Sequence, residues 1–198
     1  MEARLTLRRV LSLAAIAAAI VSTSACGGGA SAQAAAQEPQ LVQYSSSRVS
    51  FTHPAAWTAY ANPGAPGFHY QPIVYLSTQP VQAPCSTHGT ATTCGFPVRH
   101  LRPGGVLVSW LVYGIPVEGL RDAPGTPTRI GGLYAKRVTS EPGDCRAIGA
   151  DRTIKVQIGS RTGMNVPTVF VACLRGPGLA ANERRVDALL ASAKLAAS

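Results

Sequence analysis

"TIKVQIGSRTGMNVPTVFVACL", Thr153 to Leu174, is the stretch on which the fold turns. In its first six residues Ile154, Val156 and Ile158 alternate with Lys155 and Gln157, the pattern of a strand with one face buried and one wet. Its last seven, Thr168 to Leu174, form an almost unbroken apolar run, as in a strand covered on both faces. Between them "GSRTGMNVP" combines Gly, Asn and Pro, the composition of an exposed hairpin connection. Two antiparallel strands are therefore expected around Ser160 to Asn165. After "RGPG" the apolar period lengthens to about 3.6. Asn182 is placed to cap a helix whose buried stripe runs Val186, Leu189, Leu190, Ala193.

Towards the N-terminus the strand signals continue. "RIGGLYAKRVTS", Arg129 to Ser140, reads as two strand pieces around Gly131-Gly132, a tight turn or bulge. "VLVSWLVYG", Val106 to Gly114, is the most apolar segment, and "IVYLST", Ile73 to Thr78, is another strand. "RVSFTHP", Arg48 to Pro54, sets Val49 and Phe51 on one face and Ser50 and Thr52 on the other. "AAWTAY" follows it, then a Pro/Gly loop, Ala61 to Gly67. The fold class is α+β, an antiparallel sheet packed by a C-terminal helix, in a single domain over residues 42–198.

Before that domain the chain has a different character. Arg4, Arg8 and Arg9 precede the apolar run Val10 to Val21, which is 12 residues long. A spanning helix needs about 20, so this reads as the leader of an exported protein. Around the twin arginine only Leu11 fits the twin-arginine export pattern, which leaves general secretion as the expected route. Two cuts compete. "ASA", Ala30 to Ala32, suits a conventional signal peptidase, whereas Thr23-Ser24-Ala25-Cys26 resembles a lipobox with Thr23 in place of the usual Leu. The second lies closer to the end of the apolar run. The expected organisation is a lipoprotein signal over 1–25, lipidation of Cys26, and a flexible Gly/Ala/Gln tether over 26–41.

Setting Cys26 aside leaves Cys85, Cys94, Cys145 and Cys173, an even set in an oxidising compartment. Four cysteines allow three pairings. Cys85 and Cys94 enclose eight residues of Ser, Thr, Gly, Ala and His, too polar to pack alone, and a bridge would tie that loop at its base. If the strands around the Ser160 to Asn165 turn pair antiparallel, Cys145 and Cys173 meet at their outer ends. The local pairing is favoured. Cys-x-x-Cys, the redox signature, does not occur.

The formal charge is +9, of which the leader's three Arg and one Glu hold a net +2, leaving +7 from Cys26 onward. Scattered basic residues, the lack of a nucleic-acid motif and an exported address argue against nucleic acid as a partner. General solubility, or attraction to anionic headgroups and wall polymers, fits this charge better.

With these elements in place, "VSFTHPAAW" resembles the F-x-x-P-x-x-W opening of PsbP-like and LpqN-like domains of actinobacterial lipoproteins. "IGGLYAKRV" is similar to their Gly-Gly-x-x-Ala segment and "VDALLASAKL" to their closing helix, so the likeness runs from about Val42 to Leu195. It implies an α/β sandwich with a binding or assembly role rather than catalysis. The loop "CSTHGTATTC" falls outside the pattern.

Residues of catalytic type are sparse. "C-x-x-H-x(5)-C-x(5)-H", with His88 and His100, has the composition of a zinc site, but a disulfide competes for the same sulfurs. "GSRTG" sets Ser160 one position early for a nucleophile elbow. A secreted hydrolase would need His53, His69, His88 or His100 to meet a Ser and a carboxylate in space. The expectation is a noncatalytic envelope lipoprotein without a cofactor or metal, held to the membrane by its lipid. Its partner is expected to be an envelope protein or an apolar, lipid-like small molecule. Trp57, Tyr75, Trp110 and Tyr134 are the candidate lining of a pocket between sheet and helix.

Overall fold

The computed structural model describes residues 39–61, 70–89, 91–113, 119–159 and 168–196, all within one compact unit, Glu38–Ser198. The leader, Cys26, most of the tether, His69 and the Ser160 to Asn165 turn lie outside the described residues.

The paired segments that opened the reading form strands β10 (Arg152–Ile158) and β11 (Thr168–Leu174), antiparallel from Arg152↔Leu174 to Ile158↔Thr168. With β3 (Thr58–Ala61), β4 (Tyr70–Ser77), β7 (Val106–Tyr113), β8 (Thr126–Ile130) and β9 (Leu133–Ser140), they build a seven-stranded antiparallel sheet. Its order is β3-β4-β7-β11-β10-β9-β8. Gly131 and Gly132 close the β8–β9 hairpin with φ of 57° and 83°. A tight turn whose two central residues both lie in the left-handed region favours glycine there.

One face of this sheet carries Val74, Leu76, Val106, Val108, Trp110, Ala135, Ile154, Val156, Ile158, Phe170 and Ala172. Helix α1 (Leu179–Ser192) covers it, together with a small sheet of order β1-β2-β12, whose strands are β1 (Leu41–Ser45), β2 (Val49–Pro54) and β12 (Lys194–Leu195). Strand β2 buries Val49, Phe51 and His53 and turns Ser50 and Thr52 towards the wetter side, as alternation requires. The α+β architecture, with its sheet packed by a C-terminal helix, is therefore as the sequence predicts.

The helix start differs from the expectation. Gly178, at φ 90°, is the N-cap, and the helix begins at Leu179. Asn182 lies inside the helix and is buried, its Nδ2 donating to the Gly104 carbonyl at 3.2 Å and its Oδ1 accepting from Arg185 at 2.8 Å. A residue that ties the helix to the chain before β7 cannot serve as its cap. Two ion pairs fasten the same helix to the sheet, Arg137–Asp187 at 2.6 Å and Arg152–Glu183 at 2.6 Å. Arg152 also reaches Glu141.

The opposite face is packed at one end by Val98, Leu101, Ile148 and Ala150 against Tyr75 and Leu107. Cys145, in a 3-10 helix over Gly143–Ile148, is bridged to Cys173 on β11, which staples this layer to the sheet. Cys85 and Cys94 are bridged across a separate hairpin of β5 (Cys85–His88) and β6 (Ala91–Cys94). Both bridges are the local pairs. Their settings differ, since Cys145 and Cys173 are 0% and 1% exposed whereas Cys94 faces solvent.

A thiolate reductant must reach the sulfur it attacks. Mild reduction is therefore expected to open Cys85–Cys94 while the fold stays cooperative. Cys145–Cys173 should open only with unfolding and its loss should cost about 2–4 kcal/mol. Alkylation mapping along a reductant series checks the order.

Candidate functional site

Tight local bonding shapes the link between β1 and β2. The Ser46 hydroxyl accepts the amides of Arg48 and Val49 at 3.2 and 3.1 Å and donates to the Val49 carbonyl at 3.1 Å. The Arg48 carbonyl accepts from Ala196 at 2.9 Å, so the turn is also tied to the chain after β12. Facing this turn, β4 pairs Pro72 with Leu111 and Val74 with Trp110, and the register shifts between them. Pro72 cannot donate to the ladder, and a bulge bends the strand that carries it.

Between turn and bulge lies a cleft of about 350 Å³. Tyr44, Ala61, Pro72, Ile73 and Val112 give it apolar walls, while Ser46, Ser47, Arg48 and Gln71 supply its polar groups. Among the described residues no carboxylate lines it. Tyr44 is fixed by stacking on Phe51, with ring centroids 5.1 Å apart. Arg48 is exposed and Gln71 half-buried. The arrangement offers an apolar surface beside hydrogen-bond donors and one cation.

The four aromatics expected to line a pocket do not converge. Trp110 is fully buried, stacked on Phe51 at 5.6 Å and edge-on to Phe170 at 5.0 Å. Trp57 is packed into the same cluster. Tyr75 points to the other face of the sheet, and Tyr134 is exposed near the β8–β9 turn. The space between sheet and helix where the four were expected to hold a ligand is occupied by the packing of Trp57 and Trp110 with Phe51, Phe170 and Leu189. Large rings at alternate strand positions fill a core more readily than they frame a void.

Among the described histidines, His53 is buried with Nδ1 3.0 Å from the Pro54 carbonyl. His100 meets Arg175, and since a guanidinium only donates, the Nε2 of His100 accepts. His88 is exposed in the disulfide hairpin. Among the described residues none of the three has a Ser or a carboxylate as hydrogen-bond partner. Asp144 pairs with Lys155 at 3.3 Å, and Asp151 accepts the Gly176 amide at 2.8 Å. The sulfurs in the zinc-like spacing are bonded to each other, and among the described residues no group of three or more His, Cys, Asp or Glu is placed to hold a metal.

Tyr44, Arg48, Gln71 and Ile73 carry the cleft, and none has a motif of its own. The one sequence signal is Pro72 in a run otherwise suited to a strand, which marks a bulge. Comparison of the chain with family models, curated proteins and solved structures returns no match.

Burial raises the Tyr75 phenol from its ordinary 10.0 to about 12. The folded-state value exceeds the unfolded one, so the stabilisation is whole below pH 10 and is lost as pH rises towards 12. Phenolate absorbance should show a late-titrating tyrosine that is missing from Tyr75→Phe, and that variant should lose less stability in alkali. A Tyr75 that titrated with the exposed tyrosines would contradict this.

Proposed function

We propose that this chain is a noncatalytic envelope lipoprotein, anchored through Cys26, whose single domain is of the PsbP-like and LpqN-like kind and binds an apolar small molecule. The observation that carries the binding role is the cleft beside the β1–β2 turn, where five apolar residues remain open to solvent next to donors. The opening Phe51-x-x-Pro54-x-x-Trp57 and the closing helix support the family assignment. The lipobox and the low-complexity stretch after it support the anchor.

A second reading has an observation of its own. Among the described strands β1 pairs only with β2, which leaves its other edge without a described partner, and it exposes Leu41 and Val42 in a segment without charge. Unpaired edges of this sort accept an added strand. This favours an envelope protein seated on β1.

Cys26→Ser is expected to move the protein from the membrane fraction to the soluble one, and unchanged fractionation would defeat the anchor. Ala61 is exposed on the cleft wall, so Ala61→Trp should fill the cleft at little cost to folding. Binding of a neutral apolar dye should then fall by about tenfold with the melting temperature preserved. If the dye binds Ala61→Trp as well as it binds the parent, the apolar ligand belongs elsewhere.

A further inference from the structure

Resting on the reading of the cleft as a ligand site, we propose that its occupant is a small amphiphile with one anionic head. Arg48 holds the head, and the tail lies against Tyr44, Pro72 and Ile73.

The charge distribution sets the head. Glu183 and Asp187 are spent on Arg152 and Arg137, Glu141 on Arg152, and Asp144 on Lys155. Asp151 is engaged with a backbone amide. None of them lines the cleft, and Arg48 has no carboxylate partner among the described residues. In a chain of this net charge, Arg48 is a cation standing beside apolar surface with no described carboxylate to neutralise it. A cationic head would be repelled there, whereas an oxyanion finds a planar fork of N–H donors suited to two parallel hydrogen bonds.

Hydrogen-bond accounting narrows the donors. The backbone amide and carbonyl of Arg48 are committed to Ser46 and Ala196, and the Ser46 hydroxyl is saturated within the turn. What remains for a ligand is the Arg48 guanidinium, with the Ser47 hydroxyl and the Gln71 amide beside it. All three can donate to an oxyanion. At about 350 Å³ the cleft lies near the small end of ligand sites, so it takes a short tail or the first part of a longer one. A carboxylate and a phosphate monoester share the required chemistry.

Calorimetric titration of the purified chain with octanoate, octyl phosphate, octanol and octylammonium separates head from tail. The anions should bind about fivefold tighter than octanol, and octylammonium more weakly than octanol. Arg48→Gln, an exposed position, should bring the anions down to the level of octanol and leave octanol unchanged. Whichever anion is tighter names the head. If octanol matches octanoate and Arg48→Gln changes neither, the anionic head is wrong while the cleft stands as an apolar site. If none of the four binds, both readings fail.

Discussion

The burial of Trp110 is the constraint from which the rest of this structure follows. Its indole sits in the middle strand of three, with β4 on one side and β11 on the other, and it is closed over by Phe51 from the small sheet. Phe170 meets it edge-on from the neighbouring strand. Each such ring contact contributes about 1 kcal/mol beyond the area it buries. More important is their direction, because the stack runs across the two sheets and so sets where β2 rests on β7. The indole Nε1 has no hydrogen-bond partner among the described residues, so packing alone holds the ring.

The same stack positions the cleft. Tyr44 is its outermost ring, seated on Phe51, and its free side is a wall of the cleft. The β1–β2 turn, bonded through Ser46 and tied to the chain after β12, can therefore keep Arg48 at the rim without help from a ligand. On the other wall the bulge at Ile73 interrupts the ladder that would otherwise carry β4 straight past the turn. A site made in this way is preformed, which lowers the ordering cost of binding. Among the described residues, Trp57, Trp110, Phe51 and Phe170 pack the interior between sheet and helix, whereas the cleft beside the β1–β2 turn keeps apolar surface within reach of solvent.

Much of this was legible in the sequence, for a physical reason. Alternation in 153–158, the apolar run in 168–174 and the Gly131-Gly132 turn are local consequences of which face is buried, and they are written locally. The Cys145–Cys173 bridge follows from strand pairing once the hairpin is seen, and the Cys85–Cys94 bridge from a loop too polar to pack without a tie at its base. The helix start was misplaced because Asn182 has the chemistry of a cap, whereas its actual partner, the Gly104 carbonyl, is 78 residues away in sequence. The cleft was hidden for the same kind of reason. It draws on the β1–β2 turn, one end of β3, a bulge in β4 and Val112, none of which points to the others. Conversely, Trp57 and Trp110, which looked like a binding surface, are core, since a ring in a strand gives no sign of whether another ring will cover it.

The central claim is that the interior between sheet and helix is closed and that the ligand surface lies beside the β1–β2 turn. Photolabelling with an amphiphile that carries a diazirine in its tail, followed by peptide mapping, tests it directly. The account predicts covalent label on residues 44–48 and 71–73. Label on Trp110 or on Leu189 of the helix would contradict it.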